Sequence, residues 1–124
     1  MPLESRTRIT LILPAPALLH QFFLLDDVMT NLTVLCGGVT SSPVFPEPHH
    51  DSAFHGWWHD TKAGGVVSDS NILLVADAPL PTTEPLLHTY LEILKLNCQE
   101  DFAQDIVWLT IHPVERIADS DYVR

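Results

Sequence analysis

An α+β sandwich, one antiparallel sheet with two helices laid on a single face, is the architecture this sequence predicts. Three observations carry that expectation. Apolar residues recur at helical spacing in two segments, 17–29 and 83–98. Between and around them lie runs rich in Leu, Ile and Val that read as strands, closed by Pro or Gly. The pieces follow the order strand, helix, strand, strand, helix, strand, and a chain of 124 residues suffices for one such domain, spanning 1–124, but not for two.

The first strand is expected from Arg8 to Leu13, ended by Pro14. Pro16 then stands where a first helical turn tolerates proline. From Ala17 to Met29 the residues Leu18, Phe22, Leu25 and Met29 form a stripe, with Leu19 and Phe23 beside it, and Asp26, Asp27 and Asn31 mark the polar end. Leu32 to Cys36 alternates and runs into Gly37 and Gly38, which predicts a second strand with a bend. Residues 41–53, rich in Pro and Ser, read as an irregular excursion. Phe54 to His59 reads as extended, 60–65 as a turn, and Val66 to Ala76 as a long third strand with NILLVA as its buried half. Thr83 is the expected N-cap of the second helix, with Pro85 in the first turn and Glu84 favourable to the helix dipole. Its stripe is Leu87, Tyr90, Leu91, Leu94 and Cys98. The last strand is expected from Ile106 to Ile111, closed by Pro113. This order is the ferredoxin-like βαββαβ plan, a four-stranded antiparallel sheet with two helices on one face. The connection between the second and third strands is long for a compact domain. The extended pieces at its end predict an extended arm between the second and third strands, a ribbon over residues 54–67 projecting beyond the sheet.

Composition narrows the partners. Six basic against sixteen acidic residues give a net charge of −10, which repels phosphate backbones and anionic membrane surfaces, so neither nucleic acid nor membrane is an expected partner. Arg6 and Arg8 ahead of ITLILPAPALL have the outline of a secretory signal, but Pro14 and Pro16 interrupt the apolar run. No run approaches the roughly eighteen apolar residues of a membrane span. Cys36 and Cys98 lack metal-finger spacing and read as buried free thiols in a reducing compartment. A cytoplasmic protein is expected.

The segment HHDSAFHGWWHD, residues 49–60, holds four of the seven histidines and two of the three tryptophans. Phe54, Trp57 and Trp58 on a projecting arm form an apolar patch that a monomer seldom leaves in water, so an interface between copies is expected there. The imidazoles raise a metal. His55, Trp57 and His59 share a face of an extended segment, but His55 and His59 lie about 13 Å apart along it. A ligand set would need His49, His50 or Asp51 folded back, or a second subunit. Those donors suit zinc or copper. The competing reading makes the histidines polar neighbours of a tryptophan pair, since their spacing matches no established zinc pattern. An enzyme is the other class, a small oligomer of tautomerase or monooxygenase type with its active site between subunits. Met1-Pro2, as a source of an N-terminal proline base, and the pair His88 with Glu92 are its slender supports.

The tracts GGVTSSPVF at 37–45, HGWWHD at 55–60 and VVSDSNILLVAD at 66–77 resemble the strand, hairpin and strand of the CutA divalent-cation tolerance proteins. ITLILPAP looks like their first strand, and IVWLTIHPVERIADSDYV like their last strand and tail. The chain departs from the family pattern at DDVMTNLTV, at Ala76-Asp77 and at NCQEDFAQD. The resemblance implies the fold of the CutA and PII-like proteins and a homotrimer with ligand clefts between subunits. It points to a binding or regulatory module without catalysis, and carries over no ligand site; a divalent ion, if bound, is expected from the residues themselves at His49, His50, Asp51, His55 and His59. Nucleotide binding is disfavoured, because Lys62 is the one basic residue in the arm.

Overall fold

A computed structural model describes residues 2–42, 54–60 and 64–119, with the backbone alone at 54–60 and 65–69. The elements are β1 (Leu3–Pro14), α1 (Leu19–Cys36), β2 (Thr40–Ser41), β3 (Phe54–Asp60), β4 (Gly65–Ala78), α2 (Pro85–Asp101) and β5 (Trp108–Ile117). The sheet runs β2-β4-β1-β5, and β3 also pairs with β4. Val75 is opposite Thr10 on one side and Thr40 on the other, and Asn71 is likewise opposite Pro14 and Phe54. A strand residue has one neighbour per side, so β2 and β3 follow one another along the same edge of β4. Together they supply the second strand of the expected four-stranded antiparallel plan.

Alternation along the strands selects the helix-covered face. Ile9, Leu11 and Leu13 of β1 and Ile72, Leu74, Ala76 and Ala78 of β4 are buried, as the pleat requires of residues two apart. Against them pack Leu25, Val28 and Leu32 of α1 and Leu87, Leu91, Leu94 and Cys98 of α2, each set spaced by three or four. A fully buried leucine contributes about 1.5–3 kcal/mol, so this face holds the domain together. Thr7 shares the core face, and its buried hydroxyl is satisfied by donating to the Leu80 carbonyl at 2.6 Å.

The predicted arm is present in the backbone. Pairing of β1 with β4 stops at Pro14 opposite Asn71, while β3 continues along β4 to Asp60 opposite Gly65. Beyond β1 the sheet is therefore a two-stranded ribbon. At the other end β1 outruns β4, and Leu3 to Arg6 pair only with Val114 to Ile117 of β5.

The largest correction concerns Leu32 to Cys36. These residues are not a strand but the last turns of α1. Leu25, Val28 and Leu32 continue one buried helical face, and that packing outweighs the modest helix propensity of Thr33 and Val34. Gly37 ends the helix at φ 83, a left-handed conformation that glycine adopts without strain, and its N–H donates to the Thr33 carbonyl at 2.8 Å. The expected stripe of α1 also rotates. Leu18, Leu19 and Phe23 are exposed, and Val28 and Leu32 take the core positions. The helix starts where the Gln21 amide oxygen accepts from the N–H groups of Ala17 and Leu18. Glu84, not Thr83, caps α2, accepting from the Leu86 N–H. Strand β5 passes through Pro113, which an edge strand tolerates because, among the described residues, one side of its backbone pairs with no other strand.

Candidate functional site

The face of the sheet away from the helices carries the charged residues of β1. Since Thr7, Ile9 and Leu11 point into the core, Glu4, Arg6 and Arg8 fall on the opposite side. Register brings Arg8 opposite both Asp77 of β4 and His112 of β5, and Glu4 opposite Arg116. The result is an open cleft of about 420 Å³ lined by Arg6, Arg8, Arg116 and Asp77, with one wall formed by the end of α1 and its glycine cap. Three of the chain's six basic residues meet there.

Each arginine is already engaged. Arg8 donates to both carboxylate oxygens of Asp77, Nε to Oδ1 at 2.8 Å and NH2 to Oδ2 at 3.0 Å, a two-bond fork. Arg6 donates from Nε to Glu4 at 3.1 Å and from NH1 to the main-chain oxygen of Asp77 at 3.1 Å. Arg116 donates to Glu4 at 3.1 Å and to both oxygens of Asp119 at 2.9 Å. The hydrogen bonds from Arg8 hold the Asp77 carboxyl below its ordinary range, against the opposing effect of partial burial and helped by the charges of Arg8, Arg6 and His112. The same contact raises Arg8. Burial pushes the Cys36 thiol up to about 11, with the Asp77 charge adding to the rise and Arg6 opposing it. A thiol in that state is protonated near neutral pH and is a poor nucleophile. The cleft thus presents guanidinium donors already paired with carboxylates, beside a thiol that is no ready nucleophile.

No protein-family model matches the chain, and no curated protein sequence matches it. Solved structures do. The divalent cation tolerance protein Cut A1 of Thermus thermophilus aligns over 94% of this chain and 87% of its own, with 15% identity and a TM-score of 0.52. CPII, a nitrogen regulatory PII-like protein of Thiomonas intermedia solved with ADP, AMP and bicarbonate, aligns over 94% of this chain and 99% of its own, with 12% identity and a TM-score of 0.50. The fold is that of the CutA and PII-like proteins.

Within this CutA/PII-like fold the sequence-predicted residues are spread along one strand. His55 and His59 lie on β3 opposite Ser70 and Val66, four residues apart in one unbroken register. Phe54, Trp57 and Trp58 lie opposite Asn71, Ser68 and Val67. Trp57 shares the register face of the two histidines, while Phe54 and Trp58 take the other. His49, His50 and Asp51 lie outside the described residues. Among the described residues no group of three His, Cys, Asp or Glu is arranged to hold a metal ion. The Nε2 of His88 lies against the Thr82 carbonyl. Cys98 is a buried free thiol as expected, and Cys36 is free but half-buried on the cleft wall. No helix among the described residues is long and apolar enough to cross a membrane.

The arginine cluster was not singled out by the sequence reading. The spacing of Arg6 and Arg8 by two on a strand already puts them on one face. Their likeness to the basic start of a leader hid that reading. Arg116, more than a hundred positions away, joins them only through the β1–β5 register.

Proposed function

We propose that this protein is a small cytoplasmic CutA/PII-like binding or regulatory module, assembled as a homotrimer, whose ligand is a small anion held in the arginine cleft. The observation that carries the reading is the convergence of Arg6, Arg8 and Arg116 in one open cleft of a chain whose net charge is −10. These guanidinium groups are paired with Glu4, Asp77 and Asp119 but remain partly open to solvent, so an anion can reach them by exchange with those carboxylates. The ADP, AMP and bicarbonate bound to the PII-like neighbour are anions of the corresponding kind. The sheet face opposite the helices supports assembly, since Ile12, Leu73 and Val75 are only half-buried there and Trp108 is 50% exposed. Phe54, Trp57 and Trp58 on the projecting ribbon extend the same proposed interface. Zinc or copper binding is a secondary proposal, prompted by the divalent-cation name of the Cut A1 neighbour. Four residues of one strand separate His55 from His59, so a site on this reading draws on His49, His50, Asp51 or a second copy to complete one ion's ligands.

Calorimetric titration with bicarbonate, AMP and ADP tests the anion reading. Binding of one of them to the native protein, weakened at least tenfold by Arg8→Ala, is the expected result. No heat from any of the three at millimolar concentration removes it.

A further inference from the structure

We propose that Asp77 is an internal competitor for the anion of this cleft: its carboxylate occupies the Arg8 fork, and an incoming anionic group must displace it to reach that arginine. The inference rests on the anion-binding reading above and names the residue that sets which anions succeed. Asp77 lines the cleft itself, and its two oxygens take both donors that Arg8 offers in parallel. A free carboxylate would use those same donors in the same geometry. The pair is open to solutes, with side-chain exposures of 42% for Arg8 and 26% for Asp77. The main-chain oxygen of Asp77 is held separately by Arg6, so the carboxylate can turn to another rotamer while its backbone stays in the β4 ladder.

Competition of this kind has a consequence for ligand class. The other two arginines are also occupied, by Glu4 and Asp119, so three carboxylates face three guanidinium groups and the resting cleft holds little net charge. Uptake is then an exchange rather than a simple addition. A tethered carboxylate acts at an effective concentration of about millimolar or more. A small monoanion that only reproduces the Asp77 contacts loses that exchange at ordinary concentrations. A phosphoryl group, with greater charge and three acceptor oxygens, gains more from the freed arginine than Asp77 loses. Asp77 therefore selects phosphoryl compounds over simple carboxylates and bicarbonate.

Inorganic phosphate and acetate, titrated by calorimetry at constant ionic strength, separate the outcomes. Asp77→Asn and Asp77→Ser are expected to bind phosphate at least tenfold more tightly than the native protein, to gain acetate binding that the native protein lacks, and to lose both with Arg8→Ala added. Two substitutions guard against an amide that re-forms a bond to Arg8, and a melting curve for each establishes that it is folded. Phosphate binding by the native protein that is unchanged or weaker in both variants overturns the competitor role and leaves the anion reading standing. Absence of binding in the native protein and in both folded variants overturns the two together. Binding by the variants alone supports Asp77 as the occupant that closes the Arg8 fork and overturns the anion reading of the native cleft.

Discussion

Leu32 and Val34 lie two residues apart, and the identity of the element that holds them fixes what their loss does. On a helix they are separated by about 200° around the axis. On a strand they would share a face. Leu32 is 1% exposed among the core leucines, whereas Val34 is 82% exposed. Leu32→Ala removes three carbons from a closed site. At about 0.8 kcal/mol per methylene, with the added term for the cavity left behind, the cost comes to about 3–5 kcal/mol. Val34→Ala buries nothing less and replaces a β-branched residue with the best helix former, so it stabilises by about 0.5 kcal/mol. Urea unfolding of each variant at one fixed protein concentration gives both numbers from the shift in midpoint at constant slope. The opposite signs are the decisive feature. Comparable losses of more than 1 kcal/mol at both positions would refute a helical Leu32–Cys36 and restore the strand.

Acid should dissolve the Asp77–Arg8 contribution in a defined window. Asp77 titrates below its ordinary value in the folded chain, so the contribution is complete above about pH 4 and is lost as pH falls through the depressed folded pKa, with Arg8 charged throughout. The pair is partly exposed, so its size at pH 7 is about 0.5–1 kcal/mol. The stability gap between native protein and Asp77→Asn, measured by urea unfolding at constant salt, should therefore shrink towards zero in strong acid. A gap that is constant from neutral pH down to that region contradicts the assignment. Replacing both Trp57 and Trp58 with alanine should dissociate the proposed trimer, each indole contributing about 2–3 kcal/mol when buried between copies. Light scattering that finds the variant in the same assembly as the native protein counts against that interface.

The chemistry of single residues and their near neighbours was enough for much of this architecture. Leu87, Leu91, Leu94 and Cys98 repeat at three and four, and α2 buries those residues. Residues 71–76, NILLVA, form a short apolar run that reads as a strand, and β4 buries Ile72, Leu74 and Ala76 on one face. The ribbon from Phe54 to Val67 followed from extended runs on either side of a glycine turn, a signal contained within a few residues. Such patterns are local, because a helix or a strand fixes its own period. Leu32 to Cys36 show where locality fails. A short run of β-branched and apolar residues satisfies either period, and only the waiting core beside Leu25 and Val28 settles it as helix. The cleft lies further still from local reach. Arg8 meets Asp77 across 69 positions and Arg116 meets Glu4 across 112, contacts made by strand register and by the crossing of β1 between β4 and β5. A charge pair separated by that much chain leaves no periodic trace, so its partners are set by how the sheet is threaded and not by the residues beside them.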